Sequence, residues 1–103
     1  MKYRIAKLLN HNSFIGLEGN LNQECLIMGK GVAFGKKVGQ TIEVPQDTRV
    51  YSLKELTERG DAREIINSVS PVCLELANEV LREAEKEFGK VDRSILFPMA
   101  DHL

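Results

Sequence analysis

The feature that most restricts this chain is a change of hydrophobic period near residue 60. Before it stand short alternating runs broken by turn residues; after it comes an apolar repeat of about four residues. Alternation at period two places side chains on opposite faces of a strand, whereas recurrence near 3.6 lines one side of a helix. Residues 2–9 (KYRIAKLL) alternate Tyr3, Ile5 and Lys7 on one face with Arg4, Ala6 and Leu8 on the other. Asn10-His11-Asn12 supplies turn residues that tolerate left-handed backbone. A second strand follows at 13–17 (SFIGL), closed by Gly19-Asn20, and a third at 23–28 (QECLIM), ending at Gly29. Segments 41–44 and 48–53 are further extended candidates, separated by Pro45 and Asp47. Short strands at close spacing with turn signals predict a small four-stranded antiparallel sheet.

Beyond the switch, Asp61 and Glu64 have capping-box spacing ahead of Ile65 and Ile66, which predicts a short helix over about 61–68. Ser70-Pro71 is a strong helix start, an N-cap hydroxyl followed by proline in the first turn. From there Val72, Leu76, Val80, Ala84 and Phe88 recur every four residues, flanked by Cys73, Ala77 and Leu81, with Glu75, Glu79, Glu83 and Glu87 on another face. This is an amphipathic helix that Gly89 should stop. The segment from Asp92 is apolar again and ends in mid-pattern at Leu103. A long helix without a partner of similar length implies a partner chain or further sequence, so the chain reads as a fragment. The fold class is therefore α+β. A β-rich module spans 1–55, a linker with a short helix 56–69, and the beginning of a helical domain 70–103.

The 103 residues suffice for one domain or two very small ones. A module of ~55 residues buries only about 60% of the surface its unfolded chain exposes, so it gains from a second subunit. Hydrophobic residues make up 43% and charged residues 28%, the proportions of a soluble globular protein. No apolar run approaches the ~20 residues that span a bilayer, and the N-terminus lacks a signal core, so a cytoplasmic location is expected. Cys25 and Cys73 lie far apart with no CxxC and no nearby His pair, which reads as two small buried thiols rather than a metal site or disulfide. No cofactor is expected. Residues 1–40 hold six basic against two acidic side chains, a balance of +4, whereas 57–103 hold six against ten, a balance of −4. The asymmetry allows the first module a polyanionic partner.

The glycine-bearing loop GKGVAFGKKVGQ (29–40) fails both common nucleotide motifs. A Walker A loop needs glycine where Lys30 stands and a hydroxyl where Lys37 stands; a dinucleotide fingerprint needs glycine in place of Phe34. What remains is accessible backbone at Gly29, Gly31 and Gly35, one aromatic ring at Phe34, and cations at Lys30, Lys36 and Lys37. Unpaired RNA bases stack on such rings while cations meet phosphates. Composition alone favours the plainer reading, in which Phe34 is a core plug and the lysines are solvated. Asn10 and Asn12 could address a base or ribose, although turn asparagines usually bond their own backbone. His11 reads as a turn residue.

Two elements, IAKLLNHN at 5–12 and LIMGKGVAFGKK at 26–37, resemble the co-antiterminator (CAT) RNA-binding domain of the BglG/LicT/SacY-type transcriptional antiterminators. The stretch SPVCLELANEVLREAEKEFGK and the terminal LFPMADHL are similar to the start of the phosphotransferase-system regulation domain (PRD) that follows CAT in that family. The resemblance implies a CAT sheet that homodimerises and binds one RNA hairpin containing internal loops. That hairpin is stabilised at the expense of an overlapping terminator upstream of bacterial sugar-utilisation genes. It further implies RNA contacts at Lys7, Asn10, Asn12, Gly29, Lys30, Gly31 and Phe34. In a longer parent it implies phosphorylation of His102 by phosphotransferase-system phosphocarrier or permease proteins. Two positions depart from the pattern of some relatives: Lys30 stands where several have arginine and loses its planar fork, and Gly35 stands where some have glutamine. No catalysis is expected. The rival reading is a protein-interaction module that uses the acidic helix 71–88. An enzyme is disfavoured because His11 and His102 are the sole histidines and neither has a nucleophile at short spacing.

Overall fold

A computed structural model describes residues 1–19, 22–53, 56–57 and 60–103. The chain divides into two compact units, Met1–Leu53 and Lys54–Leu103, each taken by itself. The first unit is a five-stranded antiparallel sheet, with β1 at Lys2–Asn10, β2 at Ser13–Glu18, β3 at Gln23–Met28, β4 at Thr41–Glu43 and β5 at Arg49–Ser52. The spatial order is β4-β1-β2-β3-β5. Sequence reasoning anticipated the antiparallel α+β architecture but one strand fewer. Pro45 and Asp47 end β4, and the chain then crosses to the far edge, so both extended candidates join the sheet, as its opposite edges. Asn20, half of the turn read at Gly19-Asn20, lies outside the described residues.

Strands β2 and β3 pair without interruption from Ser13↔Met28 to Glu18↔Gln23. Strand β1 does not pair so simply. Ile5 lies opposite Gly16 and Lys7 opposite Ile15, so Ala6 is an extra residue; Leu8 lies opposite Phe14 and Asn10 opposite Ser13, so Leu9 is a second. Each bulge advances the pleat by one residue. The alternation expected from sequence is thereby corrected. Lys7 leaves the Tyr3 and Ile5 face, and Leu8 joins it. One face of the sheet carries Tyr3, Ile5, Phe14, Cys25, Ile27 and Ile42, packed with Val32 and Ala33 from the following loop and with Val44 and Val50 at the margin. Ile15, Leu26, Met28 and Tyr51, on the opposite face, are buried as well. Burial raises the pKa of Cys25, and the neighbouring Glu18 carboxylate raises it further, so this thiol stays protonated. Cys73, expected to be buried, is only half-buried.

In the second unit the short strands β6 (Leu56–Thr57) and β7 (Gly60–Asp61) pair antiparallel, followed by α1 (Ala62–Ser68), α2 (Pro71–Phe88), a 3-10 turn (Arg93–Ile95) and α3 (Leu96–Asp101). The Asp61 side chain, half of the expected capping box, lies outside the description. The start and stop of α2 follow their signals. The Ser70 hydroxyl accepts from the Cys73 N–H, and Gly89, at φ +78°, donates its N–H to the Glu85 carbonyl at 3.0 Å. The buried stripe differs from the one expected. Leu74, Ala77, Asn78 and Leu81 face inward, whereas Val72, Leu76, Val80 and Phe88 are exposed. A strict four-residue repeat drifts around a helix of 3.6 residues per turn, whereas the steps of three and four from 74 to 81 stay on one side. Leu96, Phe97 and Ala100 of α3 are buried, and α2 packs against α3.

Gly16 sits where β2 runs beneath the Phe14 ring. A Cβ there would approach Phe14 Cε2 to 2.8 Å and Tyr3 Cβ to 3.2 Å, both within the buried layer. Gly16→Ala should therefore lower the stability of the sheet by about 1–3 kcal/mol through overpacking, read as a lower urea midpoint at unchanged slope.

Candidate nucleic-acid interface

The β1–β2 turn and the loop after β3 lie at the same end of the sheet because Ser13 pairs with Met28. Backbone bonds continue that pairing beyond the strands: Gly29 N–H donates to the Asn12 carbonyl and Ala33 N–H to the His11 carbonyl, each at 2.9 Å. The Asn12 side chain adds a third strap, its Oδ1 accepting from the Gly31 N–H at 2.7 Å. Asn10 holds the turn from within, its Oδ1 accepting from the Asn12 N–H at 2.9 Å and from the Ser13 hydroxyl at 2.8 Å. Both asparagines thus act on backbone and hydroxyl groups of their own surroundings. The carboxamide oxygens are engaged, and the NH₂ end of Asn10 is a donor that can address a ligand.

The loop itself is a succession of tight turns. Val32 N–H reaches the Gly29 carbonyl at 3.0 Å, Phe34 N–H the Gly31 carbonyl at 3.1 Å, and Lys36 N–H the Ala33 carbonyl at 3.1 Å. Gly31 at φ +69° and Gly35 at φ +72° supply the left-handed steps that such a winding path requires. The winding sorts the side chains. Val32 and Ala33 plug the core, whereas Phe34 is 64% exposed. The core-plug role that composition favoured for Phe34 belongs instead to its two predecessors. His11 meets the Phe34 ring edge-on, with centroids 4.9 Å apart and planes at 83°. Such a contact fixes an otherwise solvated ring and leaves a face open for stacking. Nothing in the spacing of residues 11 and 34 signals this pair; it follows from the strapping of turn to loop.

Of the residues singled out from sequence, Asn10, Asn12, Gly29, Gly31 and Phe34 converge here, with exposed Lys30 between the two glycines. Lys7 lies on β1 and shares a sheet face with Asn10, since their partners Ile15 and Ser13 are two residues apart on β2. His102 is in the other unit, exposed at the C-terminal end of α3. Among the described residues no group of three His, Cys, Asp or Glu side chains could hold a metal ion. The surface thus combines a steadied aromatic ring, exposed glycine backbone, amide donors and ammonium groups, the chemistry that holds an unpaired, negatively charged strand.

The family model described as the CAT RNA binding domain matches residues 3–59, more than half of the chain. The Transcription antiterminator LicT of Bacillus subtilis is 28% identical over 97% of this chain and 36% of its own length. The Beta-glucoside operon antiterminator of Dickeya chrysanthemi is 28% identical over 96% of this chain and 35% of its own. Protein GlcT of Staphylococcus epidermidis is likewise 28% identical, over 99% and 36%. The chain therefore spans about a third of the length of these relatives. Among solved structures, the GlcT CAT-PRDI crystal structure superposes with a TM-score of 0.74 at 20% identity, covering 99% of this chain and 61% of that one. It shows the same fold.

Removing the side-chain strap tests the construction of this surface. Asn12→Ala should cost about 1 kcal/mol of stability. It should also speed hydrogen exchange of the Gly31 amide selectively, with the β2–β3 amides unchanged.

Proposed function

The chain belongs to the CAT RNA-binding domain family, and from that premise we propose that it is the RNA-reading part of a transcriptional antiterminator. Its ligand is an RNA hairpin with internal loops, which it stabilises against an overlapping terminator upstream of sugar-utilisation genes. The observation that carries this reading is the exposed Phe34 ring, steadied by His11 beside the strapped Gly29–Gly31 backbone. An unpaired base stacks on Phe34. The glycine backbone and the amides of Asn10 and Asn12 meet base edges and 2′-hydroxyls, and Lys7 and Lys30 meet phosphates. The role is recognition and not catalysis, in keeping with the family.

Salt dependence separates stacking from charge. Phe34→Ala should weaken binding of a loop-bearing hairpin by about 1–3 kcal/mol with the salt slope unchanged, whereas Lys7→Ala should reduce the slope by about 1. Equal affinity for loop-bearing and perfectly paired hairpins would overturn the reading.

The protein acts as a homodimer through its sheet, supported by how little surface a unit of this size buries alone. In a longer parent working in the cytoplasm, phosphotransferase-system proteins phosphorylate His102, whose exposed position suits it to accept a phosphoryl group. The second reading, an interaction surface on α2, gains from the exposed Val72, Leu76, Val80 and Phe88. Gel filtration of a chain lacking residues 57–103 separates them. Retained dimerisation is expected, and a monomer would transfer the association to α2.

A further inference from the structure

The bulges in β1 do more than shift two residues. Cross-strand neighbours share a face, so Arg4 opposite Leu17, Lys7 opposite Ile15 and Asn10 opposite Ser13 all stand on one side of the sheet. Lys2, two residues before Arg4, stands there too, opposite Glu43. Simple alternation would have put Ala6 and Leu8 between Arg4 and Asn10 in this row; the extra residues replace them with a single cation, Lys7. The result is a continuous polar stripe, Lys2–Arg4–Lys7–Asn10, whose first members are roughly 7 Å apart, two strand residues of about 3.4 Å each.

Lys2 and Arg4 are exposed and border an open cavity of about 240 Å³, lined also by Leu17, Gly19, Asn22 and Thr41. The carboxylates on this face are Glu43, opposite Lys2, and Glu24, beyond Leu17 from Arg4. Glu43 lies 3.4 Å from the N-terminal ammonium, and Glu18, opposite Tyr3, is on the other face. Among the described residues neither Lys2 nor Arg4 forms an ion pair. The hydroxyl of Thr41 and the amide of Asn22 supply uncharged partners beside the two cations. This chemistry, a fork-shaped guanidinium and an ammonium along an open trough, suits phosphodiester oxygens rather than base edges.

We infer that Lys2 and Arg4 form a second RNA contact, a phosphate track that continues from Lys7 and takes the backbone of the stem flanking the internal loop. The inference rests on the RNA-binding reading above and adds a stem-directed contact to its loop-directed one. Its test uses the whole chain and hairpins that the unmodified chain selects from a pool with randomised internal loops. Each selected hairpin is assayed with its stem extended by several base pairs and with it trimmed close to the loop. The Lys2→Gln/Arg4→Gln variant should lower the salt slope on the extended hairpin by between 1 and 2, and leave the trimmed hairpin unaffected. A matched charge change in the other unit, Lys86→Gln/Lys90→Gln, should alter neither, and thermal melting should show all three chains folded. An unchanged slope on the extended hairpin overturns the track, as does a loss equal to that of the matched control. If Phe34→Ala also changes nothing, the loop reading fails separately; if the unmodified chain selects no hairpin, both fall.

Discussion

The uninterrupted pairing of β2 with β3 is the frame against which everything else in the first unit is set. Six successive partners run from Ser13↔Met28 to Glu18↔Gln23, and the middle residues are buried on both faces of the sheet. A one-residue slip of this pair would turn Phe14 and Ile27 out of the core, so the register is strongly held. Because it ends at Ser13 and Met28, the next residues of both strands leave together. Turn 10–12 and loop 29–36 meet there, and the Asn12 carboxamide and two backbone bonds tie them into one surface.

The elements most readily legible in the sequence were those with local causes. Ser70-Pro71 and Gly89 bound α2 because capping is chemistry between residues three or four apart. The strands around Asn10-His11-Asn12 likewise follow from nearby turn residues. The face of α2 was less legible, since a repeat of four and a repeat of three-and-four use overlapping residues, and tertiary packing selects between them. The fifth strand was missed for a similar reason. Sequence marks 41–44 and 48–53 as extended candidates, but only the partner strands decide that both of them join the sheet.

At the interface, residue types and spacing indicated a glycine loop with an aromatic ring, and comparison with relatives places that loop in the CAT family. What sequence could not supply was the division of labour within VAF: Val32 and Ala33 inward, Phe34 outward in a T-shaped pair with His11. That division depends on positive φ at Gly31 and Gly35, and on straps from a turn nearly twenty residues earlier in the chain. The bulges at Ala6 and Leu9 were also beyond reach, because KYRIAKLLN reads as a regular alternation until its partner strand is known.

Those bulges carry a consequence for how the sheet keeps to itself. Strand β4 accompanies only Lys2 to Arg4, so the rim of β1 from Lys7 to Asn10 has no strand neighbour in register among the described residues. A flat rim of that kind offers a template on which another chain can add a strand and aggregate. Two extra residues within five positions twist it away from the straight ladder that such an addition needs, and a lysine stands beside it. The irregularity that gathers the polar residues on one face therefore also guards the molecule against growing edge to edge.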